Sequence, residues 1–427
     1  MNPSAAFLRT KSSPRLSSLN SSKRSIYGGL FTATYHSIPT SARSPYSQAR
    51  PSRQRHSAQY ALSDLSWCRT CRRGLKTSPR VQSNSKFSFR VAAAYSGKDR
   101  PYHPDKNLFN YNPFNRIQST SFDGTGGKRK KKNRPDSGQD AFFISRVGDT
   151  EGVAFGVADG VGGWTNAGID PAEFSHAFCD YMASTAYNHK GAQGLKKLKA
   201  LDLMDEGYQK TIHDKSIFGG GSTACVAVAS PDGNLDVANL GDSGFIQLRL
   251  NAVHYASPPQ THAFNTPYQL SMIPPKLLAQ LKLFGGSRFH DLPKDSDVTQ
   301  HKIRHGDVLI FASDGVWDNV TPQDILRTVT RYMAALEAWK TGDNGTEVGA
   351  DFSRLTLPGG IGKQQENNLQ ALIATVVTHY AKVASLNTKV DGPFAREVKI
   401  HFPHEEYHGG KIDDICVIVA IAVEEGK

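Results

Sequence analysis

The chain has 427 residues, 38% of them hydrophobic, and a formal net charge of +12. That length suits one large domain or two ordinary ones around a sizeable core. Its longest uncharged apolar run, residues 415–423, is far shorter than the ~18 residues of a membrane-crossing helix, so a soluble protein is expected.

The charge is unevenly spread. Residues 1–100 carry 18 Lys/Arg against 2 Asp/Glu, residues 101–134 carry 8 against 2, and residues 135–427 carry 25 against 35. The last part, net −10, offers no basic patch, so nucleic-acid binding is not expected. Five cysteines (Cys68, Cys71, Cys179, Cys225 and Cys416) are too few and scattered for a disulfide scaffold. The lone Cys68-Arg-Thr-Cys71 pair lacks the second pair or nearby histidines of a zinc site. Cys225 and Cys416 lie in apolar runs and read as core.

In chain order, residues 1–59 contain no acid and are rich in Ser, Arg, Lys and Ala; the first acid is Asp64. That is the composition of a mitochondrial transit peptide, and no apolar stretch of about 7–15 residues marks a secretory signal. Residues 1–84 therefore read as an address to the mitochondrial matrix followed by a disordered basic segment, and residues 85–427 as the folded domain. Phe87-Ser-Phe-Arg-Val91 alternates apolar and polar, a first strand. A Gly-rich stretch and the basic run Lys128-Arg-Lys-Lys-Lys-Asn-Arg134 read as a solvated loop whose field attracts phosphorylated substrates. Residues 153–158 form an apolar run ending at Asp159-Gly160, and residues 171–187 have a helical pattern. Residues 222–229 and 235–240 read as strands joined by the hairpin turn Pro231-Asp-Gly-Asn234. Gly241-Asp-Ser243 leads into a strand over 245–250. Residues 308–312 are apolar and end at Ser313-Asp314-Gly315. A helix over 322–339 opens with Thr321 as N-cap and Pro at its first position. Residues 342–362 read as a surface insertion and 367–386 as a helix. The last strand, 415–423, starts directly after Asp413-Asp414. Hairpin-linked strands with helices grouped apart predict an α+β fold with antiparallel sheets.

Asp-Gly occurs five times, at Asp123, Asp159, Asp232, Asp314 and Asp391, and is ordinarily a turn. Asp159 and Asp314 differ, because each terminates a buried-looking strand, and Asp413 sits at the start of another. Carboxylates at strand ends cost stability unless something positive compensates them. Three of them meeting at one end of packed sheets repel one another. A hard divalent cation, Mg²⁺ or Mn²⁺, relieves that repulsion through carboxylate, carbonyl and water oxygens.

Six motifs in order then resemble the type-2C, or PPM, family of metal-dependent protein phosphatases, across essentially everything after residue ~85. They are Gly138-Gln-Asp-Ala-Phe-Phe143, Val157-Ala-Asp-Gly-Val-Gly-Gly-Trp164, Gly220-Gly-Ser-Thr-Ala224, Asn239-Leu-Gly-Asp-Ser243, Phe311-Ala-Ser-Asp-Gly-Val-Trp-Asp318 and Lys411-Ile-Asp-Asp-Ile415. The second motif and His262-Ala-Phe-Asn-Thr-Pro-Tyr-Gln-Leu270 resemble the mitochondrial subgroup in particular. The resemblance implies a central pair of antiparallel sheets with helices on both outer faces. It also implies two Mg²⁺ or Mn²⁺ ions and a weaker third. Asp159 would bridge the two ions, and the Gly160 carbonyl would bind the second. Asp314 and Asp413 would complete the first ion's shell, and Asp140 would hold metal-bound water. Asp242 and Asp318 match acids that hold the third ion. The implied reaction is direct attack of a metal-bridged hydroxide on phosphoserine or phosphothreonine, by a monomer acting on phosphorylated proteins.

Three positions depart from the family pattern. Gln139 stands where an acid is usual, and its amide brings no charge. Val161 stands where a histidine often donates a proton, so water or another group must supply it. Pro135 occupies the place of the phosphate-binding arginine, for which adjacent Arg134 is the candidate. No cysteine has an arginine six residues on, and there is neither a GxSxG elbow nor a P-loop. The alternative is a pseudophosphatase that binds phosphoproteins without turnover, for which Gln139 is the main support.

Overall fold

The computed structural model describes residues 86–112, 134–190, 197–284, 291–362 and 367–427. The N-terminal address, the Cys68–Cys71 pair, Asp123 and the basic run up to residue 133 lie outside the described residues, so those expectations stay as they were.

Seventeen strands are described: β1 (Phe87–Ser96), β2 (Leu108–Asn110), β3 (Asp140–Arg146), β4 (Val153–Asp159), β5 (Gly220–Ser222), β6 (Ala224–Ser230), β7 (Asn234–Leu240), β8 (Gly244–Arg249), β9 (Ala252–Ala256), β10 (Thr261–Ala263), β11 (Thr266–Pro267), β12 (Leu270–Met272), β13 (Asp297–Lys302), β14 (Val308–Ala312), β15 (Trp339–Gly342), β16 (Gly345–Val348) and β17 (Ile415–Glu424). Two antiparallel sheets organise them. One has the order β2-β1-β17-β14-β8-β9 and the other β13-β7-β6-β4-β3.

The period-2 side-chain alternation of a strand explains the layering. In β17, Cys416, Ile418, Ala420 and Ala422 face the other sheet, while Val417, Val419, Ile421 and Val423 face helices. In β6, Cys225, Ala227 and Ala229 point between the sheets, and Ala224, Val226 and Val228 point outward. Phe311 anchors the inner layer, stacked on Phe245 at 4.8 Å and edge-on to Phe155 at 5.1 Å.

Helices cover both outer faces. On the five-stranded sheet lie α1 (Pro171–Tyr187) and α2 (Ala200–His213), and the Asp170 side chain caps α1 by accepting from the Ala172 amide. Among the remaining helices, α3 (Pro275–Phe284) follows β12 and α4 (Asp314–Trp317) follows β14. On the six-stranded sheet lie α5 (Pro322–Ala335), the one-turn α6 (Phe352–Leu355) and α7 (Leu369–Ser385), followed by α8 (Pro393–His401). Thr321 and Asp324 form a capping box at the start of α5. This α+β arrangement of two antiparallel sheets between helical layers is the predicted one.

Two local expectations change. The helix over 322–339 stops at Ala335, and Trp339 instead opens the β15–β16 hairpin, with its indole N–H donated to the Gly306 carbonyl. The segment 342–362 contributes to the core as well as the surface, because Phe352 and Leu355 are buried in the outer layer. No helix among the described residues is long and apolar enough to cross a membrane.

Candidate metal centre

Strand pairing brings the acids together. Asp140 opens β3 and Asp159 closes β4, and the two are direct partners in the antiparallel register. In the other sheet, Ala312 at the end of β14 pairs with Val417 near the start of β17. That pairing sets Ser313-Asp314 beside Asp413-Asp414. Asp242 lies in the turn between β7 and β8, and Asp318 caps α4. Ser313 ties the sheets together: its hydroxyl donates to Asp140 Oδ2 at 2.6 Å and accepts the Cys416 amide at 3.0 Å.

The backbone around Asp159 is fixed before any ligand arrives. Its carbonyl accepts from the Thr223 amide and the Ser222 hydroxyl, both at 2.9 Å, and its amide donates to Thr223 Oγ1. The Gly160 amide donates to the Gln139 carbonyl, and a side chain at Gly160 would strike that oxygen at 2.7 Å. The Asp-Gly pair is therefore a close backbone approach rather than an exposed turn.

Three residues beyond the sequence-derived set complete the site. The Lys411 ammonium lies 2.6 Å from Asp314 Oδ2, 2.6 Å from Asp318 Oδ2 and 3.3 Å from Asp413 Oδ2. Asp414 is buried and accepts the Lys98 amide at 2.5 Å and the Gln139 amide at 2.8 Å. Gly138 makes that approach possible: it has φ +69°, and a Cβ there would lie 2.1 Å from Asp414 Oδ1. Lys98 holds its half-exposed ammonium 3.5 Å from Asp413, while buried Lys382 grips its backbone through the Gly97 and Lys98 carbonyls. Arg134, the sequence's candidate for substrate, makes no ion pair or hydrogen bond among the described residues. Gln139 presents its backbone to the site, and its carbonyl accepts the Ser175 hydroxyl at 2.6 Å.

Electrostatics mark the cluster as short of positive charge. Burial pushes the Asp140 carboxyl well above the ordinary range, and Asp414 adds to the push. Burial and then Asp314 do the same to Asp159 and Asp318. Asp242 is raised to about 7 by burial and by Asp314. Asp314 is the exception: burial raises it most, but the Lys411 ammonium and the hydrogen bonds from Lys411, Asp159 and Asp318 together outweigh burial, and its pKa is lowered. Burial opposes the charge on Lys411, but Asp314, Asp318 and Asp413 outweigh it and hold the ammonium charged.

These residues fit divalent ions. The donors are oxygens only, the crowded carboxylates outnumber the Lys411 and Lys98 ammonium groups beside them, and Asp242 Oδ1 is buried with no hydrogen-bond partner. Among the described residues no three His, Cys, Asp or Glu side chains already converge as a ligand set. Lys411 lies among the acids instead. Residue by residue, Asp140, Asp159, Asp314, Asp413, Asp242 and Asp318 all fall at this one end of the sheets.

Comparison with known proteins gives this geometry a context. The chain is 32% identical to a protein phosphatase PTC7 homologue, fig, of Drosophila willistoni, over 66% of this chain and 76% of that protein. It is likewise 32% identical to the 5-azacytidine resistance protein azr1 of Schizosaccharomyces pombe, over 66% and 81%. Protein phosphatase 2C homolog 7, mitochondrial, of Saccharomyces cerevisiae is 28% identical over 78% and 82%. Among solved structures, the photosystem II phosphatase PBCP aligns with a TM-score of 0.46 and 24% identity, over 66% of this chain and 91% of its own. The catalytic domain of the serine/threonine phosphatase PstP aligns at 0.37 and 14%, over 79% and 100%. No protein-family model matches the chain. The fold and acidic site have the form of a metal-dependent phosphatase. The chain belongs to the type-2C protein phosphatase family, alongside its PTC7 homologues.

Proposed function

We propose that this protein phosphatase hydrolyses phosphoserine and phosphothreonine on mitochondrial proteins, using divalent ions held by Asp140, Asp159, the Gly160 carbonyl, Asp314 and Asp413, with Asp242 and Asp318 at the edge of the same cluster. The observation that carries the reading is the register pair Asp140–Asp159 facing Asp314 and Asp413 at one end of both sheets, with Asp140 and Asp159 pushed to high pKa by burial. A divalent ion held there would supply a water acidic enough to serve as nucleophile near neutral pH and would offset charge on phosphoryl oxygens.

The chain's own residues do the rest. Ser313 orients Asp140 by donating to its Oδ2. Thr223 and Ser222 fix the Asp159 backbone at the end of its strand. Arg134 and Lys98 are the cations proposed for the phosphoryl oxygens, and Lys98 is the one already anchored at the cluster. With Val161 after Asp159-Gly160, water or another group must give the leaving alkoxide its proton. The Drosophila and Saccharomyces relatives are named protein phosphatases, which supports turnover over the binding-only alternative. The budding-yeast relative is named mitochondrial, which agrees with the acid-free N-terminus.

The test is hydrolysis of a phosphothreonine peptide by the full chain in EDTA, Mg²⁺ or Mn²⁺, beside Asp159→Asn. Activity that requires the ion and disappears in the variant is expected. A folded wild type with no turnover in any metal would leave the binding-only reading in its place.

A further inference from the structure

We propose that the Lys411 ammonium is a built-in cation that stands in for a third divalent ion and limits this centre to two. The inference rests on the metal-dependent reading above. The resemblance assigns a weak third ion to Asp242 and Asp318. Lys411 instead holds Asp318 Oδ2 at 2.6 Å, Asp314 Oδ2 at 2.6 Å and Asp413 Oδ2 at 3.3 Å. An ammonium has three donors, and three carboxylates surround this one. Its charge also reaches Asp242, where it opposes the rise caused by burial and Asp314.

The lysine is held there by design of the local chain rather than by the acids alone. Asn319, itself buried, clamps residue 411 from both sides: its Nδ2 donates to the Lys411 carbonyl at 2.8 Å, and its Oδ1 accepts the Lys411 amide at 2.9 Å. The ammonium lies over the Phe394 ring, 4.9 Å from its centroid, and the side chain is only 16% exposed. A dication at this position would face a fixed positive charge at contact range or would have to expel a side chain anchored at its backbone. Asp314 and Asp413 also belong to the first ion's set, so that ion shares them with the ammonium, whereas Lys411 makes no ion pair with Asp140 or Asp159 among the described residues. Lys411 donates to Asp314 Oδ2, and the side-chain hydrogen bond to Asp140 comes from the neutral Ser313 hydroxyl.

The experiment titrates Mn²⁺ into the metal-stripped full chain by calorimetry, with thermal unfolding in EDTA measured on the same samples. Wild type and Lys411→Arg are expected to saturate at two equivalents. Lys411→Met is expected to gain a third equivalent, to unfold at lower temperature in EDTA, and to recover that loss as Mn²⁺ is added. A third equivalent in wild type overturns the inference, and this outcome does not depend on any variant folding. Two equivalents in both wild type and a folded Lys411→Met also overturn it. Absence of any binding to wild type would sink the metal-dependent reading itself, a distinct result.

Discussion

The two ends of β14 carry carboxylates with opposite fates, Asp307 buried and Asp314 part-buried. At the start, Asp307 is fully buried and fully matched. Arg249 donates from Nε at 2.7 Å and Nη2 at 2.6 Å, Gln247 donates at 2.8 Å, and the Arg304 amide donates at 2.9 Å. At the other end, Asp314 enters a cluster in which Asp140, Asp159, Asp242 and Asp318 are all raised and Asp242 Oδ1 lacks a partner. One strand thus separates a closed structural ion pair from an open, electron-rich site. A buried charge that is fully hydrogen-bonded supports the fold, whereas one left in excess calls for a ligand.

Substitutions at the two ends should therefore have opposite signatures. Asp159→Asn should lower phosphopeptide turnover by roughly 10³-fold while the metal-free protein stays folded, because the change removes a proposed ion ligand and relieves crowding. Steady-state kinetics and unfolding curves on the same sample check both halves. Asp307→Asn should do the reverse. It leaves the Arg249 guanidinium under-matched, so urea unfolding should show a loss of about 3 kcal/mol with turnover per folded molecule preserved. Equal stability loss at both sites would erase the distinction.

The pH dependence sharpens the comparison. The unfolded chain ionises its aspartates near ~4. Folded Asp242 keeps its proton to about 7, and Asp140, Asp159 and Asp318 are raised as well. Raised folded pKa values give stability that is present at acid pH and is lost as pH rises through them. In EDTA, the thermal midpoint should drop by a few degrees (~2–6 °C) between pH 5 and 7.5. A midpoint that climbs across that window would contradict the excess-charge account. The smallest effect concerns Lys98: replacing it with Ala should raise KM for the phosphopeptide about 10-fold, ~1.4 kcal/mol, with kcat changed less. Lys98→Arg should restore most of it, and an unchanged KM would remove Lys98 from substrate binding.

Much of the acidic end was legible in the sequence because its signals are local. An apolar run that stops at Asp-Gly, as at Asp159 and Asp314, marks a strand end carrying an acid. The partners were not legible, because they come from pairing across the chain. Ser96 at the end of β1 pairs with Ile415 at the start of β17, so Lys98, two residues past one end, lands beside Asp413 and Asp414, just before the other. Lys411 lay inside a quoted motif, but nothing in its spacing tells that Asn319 holds its backbone or that its ammonium meets Asp314 and Asp318. The helix expected to reach residue 339 failed for a related reason. Its pattern of apolar residues continued to Trp339, but Glu337 has φ +54°, which breaks the helix and sends Trp339 into a hairpin.

The central claim is that the far end of β14 is a divalent-cation site, and thermal unfolding of the full chain at pH 7.5 with and without Mn²⁺ tests it most directly. The account predicts a higher midpoint with Mn²⁺, as for any ligand bound only by the folded state, and little or no rise in Asp159→Asn. An identical midpoint for wild type in EDTA and in saturating Mn²⁺ would contradict it.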